Sequence, residues 1–135
     1  MSVSSALRLV IEMRADDRCE YCRAPKDLGG YRFHIEHIVP IKIGGTDDPT
    51  NLALACAACN LAKSTKTSGI DPTTGLFAEL FNPRSHRWLD HFRWRDQQEL
   101  EGLTAVGRVT VLVLQMNSAI RAEARVFWFE VGTLP

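Results

Sequence analysis

Two Cys-x2-Cys pairs, Cys19 with Cys22 and Cys56 with Cys59, constrain this chain more than any other feature of it. Each pair can present two sulfurs from one tight turn, and two such turns can close a tetrahedron of thiolates around a single zinc ion. Duplicated spacing disfavours the other fates of cysteine pairs, namely buried free thiols, redox couples and disulfides. The opening MSVSSALRLVIEMRADD lacks the basic-then-apolar order of a secretory leader, and no run reaches the roughly 20 apolar residues of a membrane span. A cytoplasmic chain is therefore expected, with no membrane partner, in a compartment where thiols stay reduced. With all four positions filled by sulfur, the zinc has no open place for water or substrate, so its role is structural.

At 135 residues the chain suits one domain with a core of its own and is short for two. The expected organisation is one domain over 1–135, with a zinc-stapled core at 19–66 and an extension, 67–135, packed on it. Leu7, Val10 and Ile11 recur at helical spacing after Ser4 and Ser5, candidate N-caps, and this first helix ends near Asp16 or Asp17. A knuckle and loop through Pro25, Gly29 and Gly30 leads to YRFHIEHIV, which alternates as a half-buried strand does and stops at Pro40. IKIGGTDDPT is turn chemistry, NLALAC a second strand, and AACNLAKSTK a helix that begins at the second cysteine pair and ends before Gly69. The zinc thus ties together the two ends of a strand, loop, strand, helix unit. Residues 68–85 read as a connector, Trp88 to Leu103 as a strand or short hairpin with a helix as the alternative, and Thr104 as the N-cap of a helix from Val106 to Met116. SAIRAEARVFWFE reads as a final helix.

Inside the staple lie His34-Ile35-Glu36-His37-Ile38-Val39-Pro40, then Gly44-Gly45, Asn51-Leu52 and Cys56-Ala57-Ala58-Cys59-Asn60. In this order the residues resemble the HNH endonuclease motif, in the variant whose last histidine is replaced by asparagine. The resemblance covers Cys19 to about Lys66, a third of the chain. It implies an α+β fold with a ββα-metal (His-Me finger) core, a structural four-cysteine zinc, an N-terminal helix and a C-terminal strand and helical extension. It also implies hydrolysis of nucleic-acid phosphodiesters, with DNA favoured over RNA as the partner. By that likeness His37 is the general base, Glu36 and Asn60 hold a catalytic divalent cation, and Asn51 braces the loop. Carboxylate and amide oxygens suit Mg²⁺ or Mn²⁺, loosely bound. An imidazole titrates near neutral pH and can take the proton of an attacking water, while a hard cation can stabilise the departing oxygen. Glu36 stands where aspartate is common in the family, and keeps the ligand type at one methylene more. One difficulty is geometric: neighbours on a regular strand face opposite ways, so Glu36 and His37 can meet one phosphate only if the strand twists or ends there.

His34 shares the strand face of Glu36 and is either a further metal ligand or a histidine without chemistry. His86 and His91 read as structural, and Trp88, Phe92 and Trp94 as core. The formal net charge is +0, so no overall positive field marks a nucleic-acid partner and any contact must be local. Lys63, Lys66, Arg84 and Arg87 are the candidates for phosphate contacts. Two other readings fit the cysteines: a zinc-ribbon-like module that binds nucleic acid or protein without catalysis, and a nuclease subunit or homodimer that acts with a partner. The interior residues speak against the first, since pure binding does not require Glu36, His37, Asn51 and Asn60 in this order.

Overall fold

The computed structural model describes residues 3–26 and 33–132. The expected loop through Gly29 and Gly30 and the start of the strand at Tyr31 lie outside them. Helix α1 runs over Ser5–Arg14, capped by Ser4, whose hydroxyl accepts from Leu7 N at 3.1 Å. It stops where Asp16 and Asp17 turn to positive φ. Ile11 is its fully buried residue, and Arg14 donates to Pro49 O (3.0 Å) and Leu52 O (2.6 Å), strapping the helix to the second strand.

Strands β1 (His34–His37) and β2 (Leu52–Ala55) pair antiparallel, with Glu36 opposite Ala53 and His37 opposite Leu52. Every residue of β2 is buried, so it reads as an apolar run without alternation. Helix α2 (Ala57–Lys63) follows at once, its N-cap being Cys56, whose Sγ accepts from Cys59 N at 3.4 Å. The metal-binding turn and the helix start are therefore the same structure. Between β1 and β2 the chain makes two 3-10 turns, Ile41–Ile43 and Pro49–Asn51. The molecule is α+β, as the sequence implies.

The connector holds more order than its sequence suggests. Strands β3 (Ser68–Ile70) and β4 (Phe77–Glu79) form a hairpin around a turn organised by Asp71, which accepts from Thr73 N (3.1 Å) and the Thr74 hydroxyl (3.0 Å). Three-residue strands centred on Gly69 and Ala78 are too short to show a period. After them comes one helical turn, α3 (Trp88–His91), and a second hairpin, β5 (Phe92–Arg95) with β6 (Glu99–Gly102), turned at Asp96 and Gln97, both at positive φ. Trp88 and Phe92 are buried and Trp94 is half-buried, as expected of core aromatics. Helix α4 (Ala105–Val113) is capped by Thr104, whose Oγ1 accepts from Gly107 N at 3.0 Å, and α5 (Ala119–Glu130) closes the described chain. One cluster of buried apolar side chains runs from Ile11 through the cysteines and β2 to Leu114 and Met116. No helix among the described residues is long and apolar enough to cross a membrane.

Asp71 fixes the β3–β4 hairpin to α4. Its carboxylate is fully buried and takes a two-pronged contact from Arg108, Nε at 2.9 Å and Nη2 at 2.8 Å. That guanidinium, aided by Thr73 and Thr74, holds the Asp71 carboxyl far below the usual carboxylate range despite burial. A depressed folded-state pKa contributes stability that is full above the unfolded value of roughly 3.9 and is lost as pH falls towards the folded one. Thermal melts of wild type and Asp71→Asn should therefore differ most near neutrality and converge as pH drops below about 4. A gap in Tm that stays constant with pH would refute this assignment.

Candidate metal centres and active site

The four cysteine sulfurs lie within 4.8 Å of one another, all from buried residues. Zinc–sulfur bonds of roughly 2.3 Å give tetrahedral edges of about 3.8 Å, and Cys22 Sγ to Cys56 Sγ is 3.7 Å. Backbone N–H groups of Cys22 and Cys59 point at the sulfurs of Cys19 and Cys56, at 3.5 and 3.4 Å, which aims each pair inward. Burial pushes the Cys19 and Cys59 thiols well up. Four thiolates can coexist there only with a cation between them, so the donor set fits zinc. A further partner comes from α5: Arg121 Nη2 donates to Cys59 Sγ at 2.9 Å, and its Nη1 donates to Leu114 O at 2.7 Å. Burial acts to lower the Arg121 pKa, and the cysteine charges, Cys59 foremost, act more strongly to raise it. The C-terminal helix is thereby tied to the metal centre.

On the other side of β1 lies a cavity of about 270 Å³ lined by Ile35, Glu36, His37, Pro40, Ile41, Lys42, Asn60, Ser64 and Thr65. Glu36, His37 and Asn60 thus share one cavity, and the geometric difficulty is resolved because β1 ends at His37. Beyond it Ile38 N donates to Asn51 O at 2.9 Å, and the Asn51 amide clamps the departing chain, accepting from Val39 N and donating to Val39 O and Thr46 O, each at 2.9 Å. The loop so closed delivers Asp47, whose Oδ1 lies 2.8 Å from His37 Nε2. An ionised carboxylate only accepts, so the hydrogen belongs to Nε2 and the lone pair of the neutral ring is on Nδ1.

Glu36 is 4% exposed. The Tyr21 hydroxyl donates to its Oε1 at 2.6 Å. Lys63 Nζ donates to Ile38 O (2.9 Å) and His37 O (3.3 Å) and lies 3.1 Å from Oε2, so the second carboxylate oxygen is buried in an ion pair with this ammonium. Burial raises the Glu36 pKa, and the Lys63 charge and the Tyr21 hydroxyl partly offset it. A carboxylate and an asparagine amide lining the same cavity are oxygen donors of the kind a hard divalent cation takes.

Residues 19–66 match the sequence model of the family described as HNH endonuclease. This segment is an HNH domain. No curated protein and no solved structure matches the chain. HNH domains act on nucleic acids and are in general nucleases.

Not every residue singled out from sequence belongs to the face of the HNH domain. Lys63 is corrected: it is 1% exposed, and its ammonium holds the end of β1 from within, out of reach of a phosphate. Arg84 is corrected likewise, since its guanidinium pairs with the buried carboxylate of Glu20, which also accepts from Leu54 N at 2.8 Å. Lys66 and Arg87 are exposed. His34 is exposed and does not line the cavity, so the structure does not bring it to Glu36. His86 and His91 pack against Phe81, at 5.8 and 5.9 Å between ring centres, in the structural role expected of them. Tyr21, Asp47 and Arg121 were not foreseen from sequence, because each reaches its partner only through a tertiary contact.

Because the thiolates cap α2 and anchor both ends of β1–β2, zinc removal should unfold the HNH domain, with a loss on the order of 10 kcal/mol as in zinc-finger peptides. Cys56→Ser should purify with less than one zinc per chain by atomic absorption and lose its cooperative melt. A melt that survives complete chelation would rule out the structural role.

Proposed function

We propose that the chain is a metal-dependent endonuclease that hydrolyses phosphodiester bonds of nucleic acid, DNA in preference to RNA, with His37 as general base. The observation that carries this reading is the placement of His37, Glu36 and Asn60 around one cavity, with the imidazole oriented by Asp47. With its hydrogen directed at Asp47, His37 holds Nδ1 free to take a proton from water as the water oxygen bonds to phosphorus. The phosphorus to 3′-oxygen bond then breaks, leaving 5′-phosphate and 3′-hydroxyl ends. Glu36 and Asn60 would hold one Mg²⁺ or Mn²⁺, which when bound supplies charge neutralisation at the phosphate and leaving oxygen. Lys63 already compensates part of the Glu36 charge, which accounts for a loosely held ion. That compensation also favours a second reading, since a carboxylate neutralised by lysine can stand without any cation: a nucleic-acid or protein binding module with no turnover.

The two readings separate on one variant. The His37 side chain is 19% exposed and that of its partner Asp47 59% exposed, so this surface pair adds little to stability and removing His37 should leave the fold and zinc content intact. His37→Ala should cut supercoiled plasmid about 10²- to 10⁴-fold more slowly than wild type with Mg²⁺ or Mn²⁺, the range general-base loss commands. Equal rates would remove His37 from the chemistry, and an inactive wild type at every metal would leave the binding module. Asp47→Ala should lower kcat about tenfold with KM unchanged, as expected of a group that positions another. A change confined to KM would place Asp47 on the substrate instead.

A further inference from the structure

Helix α2 ends at Lys63, and the next residue, Ser64, has φ 51° and ψ −123°. That ψ is far from the left-handed helical well of roughly +30 to +60°, so an L side chain is strained there. Lys66 N donates to Lys63 O at 2.9 Å, closing a four-residue turn in which Ser64 is the first central residue. These angles mirror a type II turn, and glycine is the usual occupant of that position. Among the described non-glycine residues at positive φ, Ser64 alone lines the cavity of Glu36, His37 and Asn60. Its backbone N–H is satisfied by Asn60 O at 3.1 Å, while its exposed hydroxyl has no hydrogen-bond partner within the described residues. Exposed Lys42, on the opposite rim, supplies a positive charge to the same opening.

We propose that Ser64 is a phosphate-binding residue of this cavity, its hydroxyl donating to a non-bridging oxygen of the nucleic-acid backbone, with the strained turn kept to present it. Glycine would relieve the backbone and lose the donor, so the sequence has favoured contact over stability, a trade found where strain sits at functional sites. Sequence identity of the substrate is untouched by such a contact, since phosphate oxygens are the same at every base. The proposal rests on the nuclease reading for its meaning and on direct binding for its test.

Binding is measured in the zinc-loaded His37→Ala chain, slowed so that cleavage does not compete with the binding measurement, against a DNA duplex and a single-stranded RNA with Mg²⁺ present. Adding Ser64→Ala or Ser64→Gly should weaken binding to the preferred polymer about tenfold, the usual size of one hydrogen bond to a charged group. Ser64→Gly should also raise Tm by about 5 °C, and Ser64→Ala should not. Binding unchanged by both substitutions, or no binding of either polymer by the parent, overturns the contact. Loss with Gly alone would assign the effect to the turn and overturn the role of the hydroxyl. The nuclease reading fails separately, if the chain with His37 intact cuts nothing while the Ser64 variants still bind more weakly.

Discussion

Four buried cysteine sulfurs gathered within reach of one ion are the constraint on which the rest of the HNH domain depends. Cys19 and Cys22 precede β1, and Cys56 and Cys59 begin α2, so a metal held there would fix where the strand pair starts and where the helix points. Cys56 is at once ligand and N-cap, and with α2 set by it, Asn60 and Lys63 fall on the side that meets the end of β1. Metal binding of the order of 10 kcal/mol is comparable with the whole stability of an ordinary domain. Arg121 carries the same constraint outward, because a guanidinium held by Cys59 and by the carbonyl of Leu114 makes the seat of α5 depend on the sulfurs.

The cavity is organised by a second, softer constraint, the accounting of polar groups where β1 stops. Ile38 and Val39 leave the sheet with their amides and carbonyls needing partners, and Asn51 and Lys63 supply them. Asn51 faces the loop and Lys63 the interior, so the chain turns between them and swings His37 into the opening that Glu36 lines. Asp47 arrives on the loop that Asn51 closes. The imidazole, the buried carboxylate and the helix amide are therefore placed by backbone bonding more than by contacts with one another.

Most of this architecture was legible in the sequence because it is written in local signals. Ser4, Cys56 and Thr104 cap the helices that the apolar spacing announced, and Pro40 follows the strand end. The β3–β4 hairpin was not legible, since three-residue strands carry no period and the pairing of Asp71 with Arg108 joins residues 37 apart. At the site, the family resemblance pointed to Glu36, His37, Asn51 and Asn60, and the structure brings Glu36, His37 and Asn60 to one cavity, but nothing local distinguishes a lysine bound for solvent from one bound for the interior. Lys63 and Arg84 were expected to contact phosphate, and each is instead paired with a buried carboxylate, Glu36 and Glu20. Asp47, in a run read only as turn chemistry, acquires its partner once the loop is closed.

Those two corrections bear on how the domain could meet a polyanion. Glu20, Glu36 and Asp71 are buried carboxylates, and each is matched by one cation, Arg84, Lys63 and Arg108 respectively. Leaving a buried charge unpaired costs several kcal/mol, so these three cations are committed to the fold. With a formal net charge of +0 and these cations committed, Lys42 is the exposed cation that lines the cavity among the described residues. Affinity for nucleic acid built on so few phosphate contacts falls gently with salt, because each neutralised phosphate contributes one increment to the slope. Neutral donors at the rim then matter more than they would on a basic surface. Glu36 is the one of the three acids that also lines the cavity, its charge met from the interior side by Lys63.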